Sequence, residues 1–347
     1  GCNLVALYIT SSESSVGKTA ICAGLGKYLL DDGKKVGFLK PIITDSKNLS
    51  PGSADSDAVF MKQIFALDEP LGLLCPVITE KDNLVNKIRD TYERVSSGKD
   101  VVIVEGVCGL GSDTILERAS YAMAEALCAK VIIVERYSSY LSQGTFADIY
   151  KEFGDFLFGV VLNEVPKARS EQVHKETSAQ DGGAGVNILG ILPEDRALFA
   201  LTVAELAQDI QGDILNNAEK SDELIENFML GAKQVDPGPE YYGRKINKAV
   251  VVRSERPDMQ MAALETPTKC LVVSGDVPLT PGVLYQAEVK NIPVISARAD
   301  ISSIATSIED ALDKSKFNQE KKLRKLGEIM KQFFDFQSLY KGLGLAG

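Results

Sequence analysis

Histidine is nearly absent: one residue, His174, in 347. That scarcity excludes a Ser-His-Asp or Cys-His mechanism unless His174 itself serves. His174 lies in the polar run Glu171-Gln172-Val173-His174-Lys175-Glu176, which reads as an exposed helix face. The six cysteines (Cys2, Cys22, Cys75, Cys108, Cys128 and Cys270) include no C-x-x-C pair. A structural zinc site is thereby excluded, and reduced thiols of a cytoplasmic chain are expected. No apolar run approaches the roughly 18–20 residues of a membrane span. No signal-peptide pattern precedes the first strand, and Gly1 is read as a processed or tagged start. Positive charge is also in deficit, with 38 Lys and Arg against 48 Asp and Glu and a net charge of −10. A broad nucleic-acid surface needs a basic face, so nucleic acid is excluded as a partner, and a membrane is not expected. One nucleotide held in a local pocket is compatible with that charge.

What is present is a phosphate-loop pattern near the start. Leu4-Val5-Ala6-Leu7-Tyr8-Ile9-Thr10 reads as a buried strand. Ser11-Ser12-Glu13-Ser14-Ser15-Val16-Gly17-Lys18-Thr19-Ala20 reads as a turn entering a helix that runs to about Asp32. Strand, loop and helix in that order are the context such a loop requires. Backbone N–H groups of Ser14 to Ala20 would point at phosphate oxygens, favoured by the helix dipole. Lys18 would reach the outer phosphates and the Thr19 hydroxyl would ligate Mg²⁺. In the pattern G-x-x-x-x-G-K-[ST] the first glycine position is Ser12. Gly-Lys-Thr taken alone is also an ordinary helix start; the flanking strand and helix favour nucleotide.

Further candidates follow in order. Val36 to Ile42 reads as a buried strand ending at Lys40-Pro41, and strand ends are where an open parallel sheet binds ligands. Ile43 to Asp55, with Pro51 and Gly52, reads as a loop. Asp55-Ser56-Asp57 starts a helix: its aspartates serve as caps, or Asp57 faces the phosphates and holds Mg²⁺. Val101-Val102-Ile103-Val104-Glu105-Gly106 places an acid at the end of a central strand, the form of a second Mg²⁺-binding element. Cys108 reads as packing or as pocket lining. Lys130 to Val134 is a further strand, Leu141 to Phe153 a helix, and Phe158 to Asn163 a strand. Asn163 either reads an adenine edge or makes a turn. Asp181-Gly182-Gly183-Ala184-Gly185 is a loop before the strand 187–192. The alternation predicts α/β: a P-loop NTPase-type parallel sheet with helices on both faces.

From about Leu201 the texture changes. Helices are expected over 202–210 and 221–229, with a break at Pro237-Gly238-Pro239. A second strand–helix alternation over 249–312 predicts a smaller α/β domain. The division expected is therefore 1–199 and 200–347. The tail after Lys314 carries an apolar stripe of Leu323, Leu326, Ile329, Met330, Phe333 and Phe334, to be packed on the body or on a partner subunit.

With these residues placed, the first half resembles dethiobiotin synthetase and the cobyrinic acid a,c-diamide synthases. The likeness runs through 9–19, Lys40-Pro41, Ser56-Asp57-Ala58, Val104-Glu105-Gly106 and Asn163. Over about 3–312 the chain resembles the N-terminal region of long-form phosphotransacetylases, a dethiobiotin-synthetase-like domain followed by a DRTGG domain. Leu189 to Asp195 followed by Leu201 to Leu206 is similar to that junction. The resemblance implies ATP and Mg²⁺ as cofactors. Ser14 to Ala20 would cradle the phosphates, and Lys18 with Thr19 is the P-loop pair. Asp57 and Glu105 join Thr19 at the metal, Lys40 steadies the transferred phosphate, Thr44 lies near substrate, and Asn163 reads adenine. A homodimer is implied, and a protein partner is compatible. The catalytic domain of the transferases is not expected, so acetyl transfer is not implied. Ser11 stands where the synthetases have glycine, and Val107-Cys108 replaces their Ala-Gly. The DRTGG motif becomes Glu255-Arg256 and Ser274-Gly275-Asp276. The implied function is a nucleotide-dependent regulator or sensor, or else an ATP-dependent ligase that phosphorylates a carboxylate or carbamate. A structural module with a degenerate site is the third reading.

Overall fold

The computed structural model describes residues 5–44, 55–79, 82–111, 113–137, 151–180, 186–231, 238–313 and 317–345. Most of the expected loop 43–55, the glycine-rich stretch 181–185 and residues 141–150 of the expected helix lie outside the described residues. The chain divides into two compact units, Gly1–Glu194 with Phe317–Gly347, and Asp195–Lys316.

The first unit is built on a six-stranded parallel sheet, β1 (Val5–Ser11), β2 (Val36–Leu39), β5 (Val101–Cys108), β6 (Lys130–Arg136), β7 (Leu157–Val165) and β8 (Ile188–Pro193). Their order is β2-β5-β1-β6-β7-β8. Two short strands, β3 (Ile42–Thr44) and β4 (Val77–Thr79), pair separately in parallel. The central strands are apolar runs because helices cover both faces, and Ala6 to Ile9 and Val101 to Val104 have no exposure. The chain runs from β1 to β2, skipping over β5, and from β5 to β6, passing β1. The direction of winding therefore reverses at β1, and the loop after β1 opens at that switch point, where such sheets take ligands.

The C-terminal helices Glu320–Phe333 and Phe336–Leu343 belong to this unit. That corrects the expected grouping of the tail with the second domain. Phe336 stacks on Tyr28 with ring centroids 3.5 Å apart, Tyr340 donates to Asp32 at 2.8 Å, and the Asp335 N–H donates to the Leu189 carbonyl at 2.7 Å. Phe334 bridges Gly190 on edge strand β8. The apolar stripe thus finds its cover on the first helix and the sheet edge of its own body.

The second unit centres on β10 (Asp213–Ile214), β12 (Asn227–Gly231), β13 (Lys248–Arg253), β14 (Thr268–Ser274) and β15 (Val294–Ala297). The order is β10-β15-β14-β13-β12, parallel except for β10. Alternate residues of β13 feed two cores: Ala249 and Val251 on one face, Val250 and Val252 on the other. A short antiparallel pair, β9 (Leu201–Thr202) with β11 (Leu224–Ile225), stands apart. Where a helix over 221–229 was expected, the chain forms β11 and β12. The apolar residues 228–230 form a run and Gly231 closes it, which suits pairing alongside β13 better than one face of a helix.

Candidate functional site

The loop after β1 passes into α1 (Lys18–Asp31) through Gly17, which takes φ 92°. Only glycine adopts that conformation without strain, and a Cβ there would lie 2.5 Å from Asn163 Nδ2. No side chain caps the N-terminus of α1. The helices Ser56–Ile64 (α2), Leu84–Ser96 and Thr114–Ala126, by contrast, are capped by Asp55, Asn83 and Asp113. The first-turn amides of α1 and the positive end of its dipole are therefore offered to an anion. Ser14 and Ser15 are exposed, and Val16 is buried beneath them. Lys18 Nζ donates to Ser11 Oγ at 3.1 Å, folded back across the loop.

Behind the loop the separately predicted residues meet. Thr19 Oγ1 donates to Glu105 Oε1 at 2.8 Å and lies 3.4 Å from Asp57 Oδ2. Lys40 Nζ sits 2.5 Å from Asp57 Oδ2, 3.0 Å from Asp55 Oδ1 and 3.7 Å from Glu105 Oε1. Asp55 is the cap of α2, accepting from the Asp57 and Ala58 N–H groups, which leaves Asp57 in the first turn to face the loop. The capping reading of the acidic helix start thus falls on Asp55, and Asp57 lies beside Thr19 and Lys40.

The electrostatics follow from the geometry. Burial opposes the Lys40 charge, but Glu105, Asp57 and Asp55 outweigh it and hold the ammonium charged well above its ordinary range. Burial pushes Asp55 up, yet the Ala58 N–H and Lys40 hold it below the usual carboxylate range. Glu105 is raised, chiefly by burial, with Lys40 pulling the other way. Glu105 Oε2 is buried and has no hydrogen-bond partner. A buried carboxylate oxygen with no donor is costly, and a cation there would relieve it.

The resemblance also implies roles for Asn163 at adenine and Thr44 near substrate. Asn163, near the end of β7, donates from Nδ2 to the Val16 carbonyl at 2.9 Å, so its amide N–H supports the loop. Thr44 ends β3 opposite Thr79 of β4. His174 is exposed on the helix Ser170–Gln180. Among the described residues no three of His, Cys, Asp and Glu form a ready-made metal site, and the cysteines seen are free thiols. In the second unit Gly275, just after β14, lies against Ser254 and Glu255, just after β13. There the Val277 N–H donates to Ser254 Oγ at 3.3 Å.

Sequence reasoning missed two residues beneath the loop. Glu135, at the end of β6, is fully buried and accepts from Ser12 Oγ at 2.5 Å. Arg136 donates to the Ser15 carbonyl at 3.0 Å and pairs with Glu164 at 2.8 Å. A signal existed: Val131-Ile132-Ile133-Val134-Glu135 repeats the pattern that singled out Glu105.

A family model described as an AAA domain matches residues 5–202, and a DRTGG domain model matches 205–311. ATP-dependent dethiobiotin synthetase BioD of Caldicellulosiruptor saccharolyticus is 29% identical, over 46% of this chain and 73% of that protein. The Bacillus subtilis protein of the same name is 25% identical over 58% of this chain and 93% of its own length. Phosphate acetyltransferase of Pseudomonas aeruginosa is 23% identical over 97% of this chain and 52% of that protein. The chain therefore spans about half the length of that acetyltransferase. No described helix is long and apolar enough to cross a membrane.

Proposed function

We propose, for a chain that belongs to the AAA domain family over 5–202 and carries a DRTGG domain over 205–311, that it binds ATP with Mg²⁺ and acts as a nucleotide-dependent regulator. One observation carries this: Thr19, Asp57, Glu105 and Lys40 converge behind an uncapped helix N-terminus, with one Glu105 oxygen buried and unpartnered. Thr19, Asp57 and Glu105 would hold Mg²⁺, which keeps few protein ligands and completes its shell with water and phosphate oxygens. When bound, it would neutralise phosphate charge. The α1 amides and Lys18 would hold the phosphates. Lys40 would hand its carboxylates over to the metal and turn to the outer phosphate. The DRTGG domain would pass the nucleotide state to a partner or to a second copy of the chain. The order of domains, shared with the acetyltransferase over its first half, supports that role.

The second reading is an ATP-dependent ligase that phosphorylates a carboxylate or carbamate. It is favoured by Lys40 standing among the acids, as a residue that steadies a transferred phosphate must. Thermal-shift titration with ATP, ADP and GTP, with and without Mg²⁺, tests both on wild type and Lys18→Ala. A ligand at 100 times its Kd stabilises by about 2.7 kcal/mol. A Mg²⁺-dependent ATP shift lost in Lys18→Ala, without phosphate release, supports the regulator. Release that depends on an added amine or acid supports the ligase. No shift with any nucleotide overturns both.

A further inference from the structure

Outside the Lys40 cluster, the most unusual buried group is Glu135. Ile133 of β6 pairs with Thr10 of β1, so Glu135, two residues on, lies beneath the loop that β1 feeds. It has no exposure. Its Oε2 accepts from Ser12 Oγ, and the Ser12 backbone N–H also reaches the carboxyl. Oε1 is buried with no partner. The charged groups around it are Lys18 and Glu13 on the loop, Arg136 on its own strand and Glu164 on β7. Lys18 is engaged with Ser11, and Arg136 with Glu164 and Ser15. Among the described residues no Lys or Arg forms an ion pair with Glu135. Burial pushes this carboxyl up to about 7; the Ser12 hydrogen bonds pull it down, Glu13 raises it and Lys18 lowers it.

Ser12 occupies the first glycine position of the phosphate-loop pattern, and its hydroxyl is spent on Glu135. A charged carboxylate there would lie directly under bound phosphates, in a site that water does not screen. The neutral acid keeps the loop's hydrogen bond without that repulsion. We propose that Glu135 is a positioning residue of the phosphate loop that serves in its neutral form, so that nucleotide binding above neutral pH takes up one proton at this carboxyl. The proton comes from solvent, it forms the carboxyl O–H, and no other bond changes. The proposal rests on the nucleotide-binding reading.

Calorimetric titration of the full chain with ATP and Mg²⁺ at pH 7.5, 8.25 and 9.0 tests it, on wild type and Glu135→Gln. With Mg²⁺ in excess, bound ATP is fully ionised over that range. Wild-type affinity should fall by close to tenfold per pH unit, the limit for uptake of one proton. Glu135→Gln should stay within about twofold across the range and bind more tightly than wild type at pH 9. In wild type at pH 8.25, the heat should differ between phosphate and Tris buffers by the ionisation heat of nearly one proton. Ser12→Ala removes a hydrogen bond that favours the charged form, so its affinity should begin to fall at a higher pH than wild type. That variant keeps the question decidable if Glu135→Gln does not fold. Equal pH slopes in wild type and Glu135→Gln, or no buffer-dependent heat in wild type, overturn the role of Glu135 and leave nucleotide binding standing. No binding at any pH in wild type overturns both.

Discussion

Lys40→Met removes the one ammonium that three carboxylates share. At an effective dielectric of about 20, contacts of 2.5 to 3.7 Å are worth several kcal/mol each before desolvation is charged against them. Removing one partner of a buried pair costs about 3–5 kcal/mol. The Lys40, Asp55 and Asp57 side chains keep 17–22% exposure, so the low end applies, about 3 kcal/mol. A body the size of the first unit moves about 2–4 °C per kcal/mol, which predicts a fall of about 6–12 °C in its melting transition at pH 7. The pH dependence has a definite sign. Asp55 is depressed in the folded chain, so its contribution is present above about pH 4 and is lost as pH falls through its folded value. Lys40 is raised, so its contribution is full below about pH 10.4 and is lost only as pH rises past its folded value. The gap between wild type and variant should be widest near neutral pH and narrow on acidification, first as Glu105, held above its ordinary range, takes up its proton and then below about pH 4 as Asp55 does. Melting curves by circular dichroism from pH 9 to 3.5 measure it. A shift under about 2 °C at pH 7, or a gap that widens on acidification, would refute the reasoning.

Glu105→Gln separates binding from stability. Burial raises the Glu105 carboxyl, so the ionised form is disfavoured in the fold, and the amide should melt no lower than wild type at pH 8. Its ATP-induced shift should lose its Mg²⁺ dependence, and a retained dependence in a Mg²⁺ titration would count against Glu105 as a ligand. Gly17→Ala places a Cβ at φ 92° against Asn163 and should lower the first transition by about 1–3 kcal/mol. Pairing it with Asn163→Ala should recover part of that loss, and strict additivity of the two would contradict the clash. Phe336→Ala removes the ring stacked on Tyr28 and should cost about 3 kcal/mol, read by calorimetry. An unchanged melting temperature would contradict the placement of the C-terminal helices.

Local chemistry in the chain determined a good deal. The first strand, the loop and the helix are contiguous, and branched apolar runs between turn residues mark buried parallel strands whatever their order. Lys18, Thr19, Lys40, Asp57 and Glu105 were legible for that reason: each stands at the end of such a run or the start of a helix. Which acids face the loop was settled by non-local pairing. Glu105 and Glu135 carry the same signature, but only the order β5-β1-β6 brings both to the flanks of β1, one beside Thr19 and the other beneath Ser12. Capping divided the two aspartates, since Asp55 accepts the free N–H groups of α2 and so leaves Asp57 for the loop. An amphipathic stripe states that a helix must be covered, not by what. The tail's return to α1 and β8 was decided by the apolar edge that those elements leave open. Segment 221–229 failed as a helix for the same kind of reason: a strand edge at β13 was available, and Asn227 to Gly231 pair along it.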